Sequence, residues 1–387
     1  MTGCAVRSVV LLGSTGSIGR AAVEIMTASR DRLAVAGLVA GRNIDELEAQ
    51  LNAFPDALFC SGDDTSLDAI CARNDSYRAR AVGSGQGAII ELISRTKPDM
   101  VLNALVGISG LVPTVAALEE GCAVALANKE TLVTAGELLA DTIKSNPGAV
   151  IPVDSEHFSL SRCLRGYGGE VEGIILTASG GPFLRHSPEE LRDVSIEDVL
   201  DHPTWNMGRK VTVDSAHLLN KGLEVIEAHW LFSFPYDKIE VVIHPQSVVH
   251  GVIRLRDGSM LAHVGPADMR LPIMSALFHP EIREFPWRSL GFEELNGLNF
   301  LVLQENRFPA FDLALEAARA GGTAPAVLNA ADEAAVEAFL AGKIRFLDII
   351  EWIADSLSAH SPGPVRSVAD ILEADAWARE YLASKHG

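Results

Sequence analysis

The stretch SVVLLGSTGSIG, Ser8 to Gly19, decides how the first part of this chain folds. Four apolar residues, Val9–Leu12, read as a buried strand, and Gly13, Gly16 and Gly19 follow as a GxxGxxG loop at the start of a helix. The glycines let the backbone turn tightly and approach a pyrophosphate, while the helix N-terminus offers N–H donors to it. A tight turn without any ligand is the plain alternative. Its position after the first strand of a βαβ unit makes that the lesser reading.

Outward from this loop, strand patterns at Leu33–Val39, Ala57–Cys60, Met100–Ala104 and Ala123–Ala127 alternate with helical patterns starting at Ser17, Asn43, Gln86, Leu111 and Thr131. Such alternation predicts an α/β fold, with a Rossmann-like doubly wound domain over 1–149. Near Pro152 the texture changes to longer β-rich runs (Gly173–Thr177, Ile239–Ile243, Val248–Arg254, Met260–Val264). These predict an α+β domain with a largely open sheet over 150–278. Within it, Trp205 and Met207 on a Pro- and Gly-bounded loop read as a flap near 202–210 beside a site, which makes this the candidate catalytic domain. Residues 279–309, with Pro280, Pro286 and Pro309, read as a connector. Ala- and Leu-rich segments at helical spacing predict a small C-terminal helical bundle over 310–387.

The composition is that of a globular enzyme, 48% hydrophobic and 21% charged. A formal charge of −19 argues against nucleic acid or anionic membrane as the main partner, so an anionic ligand needs a local basic pocket. Lys221, Lys129 and Arg42 are the residues to watch. Five cysteines without a CxxC pair argue against a disulfide framework and for a reducing, cytoplasmic setting. No apolar run approaches the length of a membrane span.

The second strand pattern ends Ala40-Gly41-Arg42-Asn43, with no acid before Asp45. An NAD site places Asp or Glu there for the ribose 2′-hydroxyl, whereas an Arg suits a 2′-phosphate, so NADP is favoured. Asn128-Lys129-Glu130 follows the strand pattern at 123–127, at the edge where doubly wound sheets bind ligands. It reads equally as a ligand-positioning group or as a capped helix start. Asp154-Ser155-Glu156 places two carboxylates on one side of an extended chain, able to share a hard cation if a third acid joins them, with Glu224 the candidate. Ser215, Asn220 and Lys221 form a phosphate-binding set, and Thr177–Gly181 adds hydroxyls and an anion-binding nest. Alone, each is ordinary turn or cap chemistry.

Together, GSTGSIG (13–19), ALANKE (125–130), PVDSEH (152–157), SGGPF (179–183), HPTWNMG (202–208), NKGLE (220–224) and HPQSV (244–248) resemble the 1-deoxy-D-xylulose 5-phosphate reductoisomerase family, in the family's order. LNAADEAAVEAFLAGKI (328–344) extends the resemblance to the terminal helices. The resemblance implies an oxidoreductase–isomerase of the non-mevalonate isoprenoid (MEP) pathway that takes a small phosphorylated sugar, 1-deoxy-D-xylulose 5-phosphate, to 2-C-methyl-D-erythritol 4-phosphate. NADPH and Mg²⁺ or Mn²⁺ would be its cofactors, with Co²⁺ a further candidate, and a homodimer its assembly. It implies NADPH contacts at Gly13, Ser14, Thr15, Gly16, Ser17 and Ile18, and at Gly41, Arg42 and Asn43 near the 2′-phosphate, with Asn128, Glu130 and Gly208 completing the site. Asp154, Glu156 and Glu224 match the metal ligands. Lys129, Ser155, Glu156, Ser179, His202, Trp205, Ser215, Asn220, Lys221 and Glu224 match substrate contacts, and Trp205 and Met207 fall on the flap. Catalysis is expected to rest on Lys129, Asp154, Glu156, Glu224 and His202, with Lys129 and Glu156 the candidates for general base. The chain departs from common members at Thr204, Asn206, His217, Leu218, Leu219 and Phe158–Leu160, and at Arg42 and Ala178, without losing a matched ligand.

The alternative enzyme reading is an NADP-dependent semialdehyde-type dehydrogenase, which needs a nucleophilic Cys that neither Cys122 nor Cys163 supplies in a recognisable motif. A short-chain reductase is excluded because the only YxxxK, Tyr381 to Lys385, lies at the chain's end. A non-catalytic NADP sensor would need neither three carboxylates nor a phosphate anchor.

Overall fold

The computed structural model describes residues 6–187, 189–304 and 306–386; Cys4 lies outside them. The chain forms two compact units, one of residues 1–128, 142–154 and 268–286, the other of residues 129–141, 155–267 and 287–387.

In the first unit, β1 (Arg7–Leu12), β2 (Leu33–Ala40), β3 (Leu58–Ser61), β4 (Ala81–Ser84), β5 (Met100–Asn103), β6 (Ala123–Leu126) and β7 (Val150–Pro152) form a parallel sheet in the order β4-β3-β2-β1-β5-β6-β7. Val9 to Leu12 are fully buried, and Leu11 pairs with Leu38 of β2 and Leu102 of β5. That central placement explains why the strand is apolar on both faces. The strand order reverses at β1, which sets the ligand crevice of such sheets at the carboxyl end of β1, where the glycine loop emerges. The Ser17–Ala28 helix buries Gly19, Ala22, Ile25 and Met26, one face at helical spacing. Arg270–Leu277 returns to this unit, and the Arg7 guanidinium donates to the carbonyls of Leu277 (2.7 Å) and His279 (2.8 Å).

In the second unit, β8 (Val171–Ala178), β9 (Ile239–Ile243), β10 (Val249–Leu255), β11 (Met260–Val264) and β12 (Leu301–Val302) form a mixed sheet in the order β11-β10-β8-β9-β12. Among these strands only β8 and β9 run parallel; the other pairs are antiparallel. The Leu219–Phe232 helix shares its core with the C-terminal helices: Leu223 and Ile226 cluster with Ala314, Leu328 and Phe339. Gly222 allows this approach, since a Cβ there would lie 2.5 Å from the Ala314 methyl.

Within 279–309, the segment read as a connector, a turn of 3-10 helix forms at Phe292–Leu295 and β12 pairs with β9. Some local expectations are corrected. Alternation alone missed β4, a short strand interrupted by Gly83. The helix expected from Thr131 starts at Lys129, and another starts at Ser155, so Asp154 and Glu156 are not neighbours on an extended chain.

Candidate active site

The glycine loop is built as its sequence requires. Gly13 has φ +79°, and a Cβ there would lie 2.5 Å from the Ala104 carbonyl oxygen, so only glycine fits. Its N–H and that of Ser14 both donate to the Val39 carbonyl, and Gly16 closes the loop onto the Gly13 carbonyl (3.1 Å). Gln50 and Arg20 fix the Ser14 and Thr15 carbonyls from the side. Gly16 caps the Ser17–Ala28 helix without a side-chain bond to its first turn, where Ser17 and Ile18 lie. The Ser14 hydroxyl is buried without a hydrogen-bond partner among the described residues.

At the end of β2, nothing lies within 4 Å of a Cβ built on Gly41, and the Arg42 side chain is 92% exposed, 3.6 Å from Asp63. Asn43 caps the Ile44–Ala53 helix through Glu46 N. Asn128 is held rigidly, its amide donating to the Leu105 and Gly107 carbonyls.

The second unit gathers the ionic residues. Glu224 is buried in the Leu219–Phe232 helix and accepts from Asn220 Nδ2 (2.5 Å), from Lys129 Nζ (3.2 Å) and from the Lys221 ammonium. The same Lys221 nitrogen donates to Glu156 Oε1 at 3.0 Å, so two carboxylates already share one cationic group. The Ser155 hydroxyl donates to Glu156. Asn220 Oδ1 is buried without a hydrogen-bond partner among the described residues. Asp154 precedes Ser155 directly, and chain connectivity keeps it within two residues of Glu156.

The residues expected to hold a phosphate flank a helix–helix corner. Ser215 lies near the end of Arg209–Ala216, Asn220 and Lys221 lie in the first turn of Leu219–Phe232, and Leu218 makes the corner at φ +61°. A left-handed conformation is uncommon for a branched residue, and such strain gathers at functional sites. Gly180 and Gly181 both have positive φ, and a Cβ on Gly181 would lie 2.6 Å from the Ser215 carbonyl oxygen, so the Ser179 turn abuts Ser215.

His202 organises the segment after it. Its Nδ1 accepts from the backbone N–H of Thr204 (3.1 Å) and Trp205 (2.9 Å), so the ring proton sits on Nε2, which donates to Ser179 Oγ (3.1 Å). Burial depresses its pKa, in keeping with a neutral ring. Trp205 lies against the His250 ring, and Gly208 caps the Arg209–Ala216 helix.

Comparison with known proteins identifies the family. Residues 9–136 match the family described as 1-deoxy-D-xylulose 5-phosphate reductoisomerase, residues 150–232 its C-terminal domain, and residues 264–381 the DXP reductoisomerase C-terminal domain. The reductoisomerase of Pelotomaculum thermopropionicum is 46% identical over 375 residues, 96% of this chain and 97% of the relative. The chain belongs to the 1-deoxy-D-xylulose 5-phosphate reductoisomerase family. The Heliobacterium modesticaldum relative is 43% identical, covering 99% of this chain and 98% of its own. A solved reductoisomerase from Zymomonas mobilis in complex with NADPH is 37% identical with a TM-score of 0.89, covering 99% of each chain. Another, in complex with NADPH, fosmidomycin and magnesium, is 34% identical with a TM-score of 0.91, covering 98% of each.

Family membership bears out the α/β Rossmann-like fold and makes the chain an enzyme of the oxidoreductase–isomerase type; the semialdehyde dehydrogenase alternative is not favoured. Sequence reasoning passed over two features of this reductoisomerase family member. Glu227, one turn after Glu224 and buried, lies 3.7 Å from His157 Nδ1 and 4.0 Å from Lys129 Nζ. Its three-residue spacing from Glu224 on one helical face was the available signal. The other feature is a buried charge group around Lys210, signalled by Lys210 and Asp214 at i, i+4 and by an acid, Asp332, amid the apolar LNAADEAAV run.

Proposed function

We propose that the chain converts 1-deoxy-D-xylulose 5-phosphate to 2-C-methyl-D-erythritol 4-phosphate, using NADPH and a divalent cation, Mg²⁺ or Mn²⁺ with Co²⁺ a further candidate. The observation that carries this reading is the convergence of Lys129, Glu156, Asn220, Lys221 and Glu224 in a chain related to these reductoisomerases over its whole length. The residues fit the cofactors. Glu156 and Glu224 already face one cationic group, their donor atoms are all oxygen, and Asp154 is the third ligand we assign. For NADPH, the 13–19 loop leaves its helix N-terminus uncapped by a side chain, Gly41 faces open space, and the exposed Arg42 guanidinium suits a 2′-phosphate. Asn43, Asn128, Glu130 and Gly208 complete the cofactor contacts in this assignment.

When bound, the cation polarises neighbouring substrate oxygens and NADPH supplies hydride. The chain does the rest. Ser179, Ser215, Asn220 and Lys221 hold the phosphate, with Lys221 supplying charge that an acidic chain lacks overall. Ser155 and Glu156 orient the sugar hydroxyls, and the buried Asn220 Oδ1 offers them an acceptor. Lys129 Nζ, beside Glu224, holds a proton near the reacting carbons and is, with Glu156, a candidate general base. His202 fixes the start of the flap (202–210), and Trp205 covers the substrate and excludes water.

The cellular setting is the cytoplasm, in keeping with free thiols at Cys60, Cys71, Cys122 and Cys163. Among the described residues, no helix is long and apolar enough to cross a membrane. The assembly is a homodimer, supported by β12, which ends the second sheet with Leu301 and Val302 exposed, Val302 at 85%. The test of function is NADPH consumption with 1-deoxy-D-xylulose 5-phosphate. Activity is expected only with the divalent cation and lost in EDTA; oxidation indifferent to EDTA would overturn the reading. Light scattering reports the dimer independently.

A further inference from the structure

Two residues after Gly208, Lys210 enters a buried charge group formed by residues of the second unit on three helices, Lys129–Ser145, Arg209–Ala216 and Ala324–Leu340. Its ammonium lies 2.8 Å from Asp214 Oδ2, 2.8 Å from Asp332 Oδ2 and 3.4 Å from Glu130 Oε1. All three acids are buried, Asp332 completely. His217 closes the group: its ring nitrogen and the oxygens of Asp214 and Asp332 lie within 4.8 Å of one another, and neither ring nitrogen has a hydrogen-bond partner among the described residues. Burial, helped by the Lys210 charge, lowers His217 to about 3, so the ring is neutral.

Two carboxylates and a histidine at this separation have the composition of a metal site. The position a cation would take is held by the Lys210 ammonium, so the lysine is the cation here. Burial and the facing Asp332 push Asp214 well above the ordinary carboxylate range. Such a group is a poor source of stability, since apolar side chains of the same volume generally serve a core as well or better. It does fix geometry. It ties the helix that opens with Lys129 and Glu130 to the helix that follows the flap, and both to Asp332 on a C-terminal helix.

We propose that Lys210 is a positioning residue for Glu130, holding its carboxylate in the place where it meets the cofactor, with Asp332 of the C-terminal helices holding Lys210 in turn. The proposal rests on the reading of Glu130 as an NADPH contact. It gives the C-terminal helices an indirect part in cofactor affinity, through Asp332, Lys210 and Glu130, beyond their part in the core.

The test is NADPH binding to the full-length protein without substrate, followed by the quenching of tryptophan fluorescence. Lys210→Met is expected to raise the Kd for NADPH about tenfold, the worth of one charge-assisted contact. Because that variant leaves buried carboxylates uncompensated, the charge-silent combination Lys210→Met/Asp214→Asn/Asp332→Asn is the control. It is expected to recover thermal stability while the Kd stays raised. Glu130→Gln is expected to weaken NADPH and to abolish any further effect of Lys210→Met, a coupling read by the double-mutant cycle. Recovery of wild-type Kd in the triple variant would reduce the group to a structural role and overturn the proposal. A weakened Glu130→Gln with unaltered Lys210→Met would overturn the proposal alone. NADPH affinity unchanged in Glu130→Gln would overturn the cofactor reading of Glu130, and the proposal with it.

Discussion

Replacing Lys221 with Met tests the arrangement of the ionic site most directly. The Lys221 side chain is 5% exposed, and its ammonium pairs with Glu156, 13% exposed, and Glu224, 2% exposed. Methionine keeps the volume and removes the charge, leaving two acids facing each other with less compensation. Breaking a buried pair by removing one partner costs about 3–5 kcal/mol. Glu156 keeps some contact with water, and Lys129 still faces Glu224, so the lower end, about 3 kcal/mol, applies here. For a unit of this size each kcal/mol moves Tm by roughly 2–4 °C, giving a fall of about 6–12 °C in EDTA. A divalent cation supplies the charge that was removed. At one hundred times its Kd it returns about 2.7 kcal/mol. In the unaltered protein the cation must share these carboxylates with an ammonium, so its stabilising effect is smaller there. Scanning calorimetry in EDTA and in excess Mn²⁺ reads both quantities. A variant that melts within about 2 °C of the parent in EDTA, or that gains no more from Mn²⁺ than the parent does, would refute the reasoning.

Three further outcomes are expected. Glu224→Gln should lower turnover roughly a hundredfold, about 3 kcal/mol of lost cation and Lys129 contact, while NADPH binding by fluorescence stays near normal. Gly13→Ala combines a left-handed φ with a Cβ 2.5 Å from the Ala104 carbonyl oxygen, so calorimetry should show a loss of about 2 kcal/mol or more and binding a raised Kd for NADPH. His217, lowered to about 3 by burial and the Lys210 charge, binds a proton in the unfolded chain before it does in the folded one. Its contribution is therefore complete above its unfolded pKa of about 6.5 and falls by about 1.4 kcal/mol for each pH unit below that, down to its folded value. His217→Phe should flatten denaturant-measured stability against pH across that window, and an unchanged slope would contradict the burial of a neutral ring.

The parts of the fold that were legible were those where one local pattern has one structural outcome. Val9–Leu12 running into GSTGSIG is an example: an apolar strand followed by glycines at that spacing leaves the backbone little choice, and Gly13 takes up the positive φ the turn demands. The extended conformation expected at Asp154-Ser155-Glu156 was wrong because the alternation rule holds only within a strand. The sheet ends at Pro152 and a helix starts at Ser155, so both acids belong to a junction. The grip of Lys221 on Glu156 could not be read, since it depends on how the Ser155–Leu164 helix packs beside Leu219–Phe232. Lys210 meeting Asp332 is the extreme case: an acid amid the apolar LNAADEAAV run signals a buried partner, but only tertiary packing says which one. Asn220 and Glu224 stand four residues apart on one helix, so the bond between them follows from local spacing once that helix is known. The hydrogen bonds that set the His202 tautomer come from backbone N–H groups of the turn after it, which no residue type announces.

The bonds from Arg7 to the carbonyls of Leu277 and His279 have a consequence for synthesis. The first strand of the first unit waits, on the ribosome, for residues made long after the glycine loop has emerged. Until Arg270–Leu277 is translated, the opening segment cannot complete its native contacts and leaves apolar surface uncovered. Nascent chains stalled shortly before residue 270 should therefore be far more open to proteolysis near the N-terminus than chains released at full length. A shortened chain meant to bind the cofactor on its own has to carry both distant pieces of the unit.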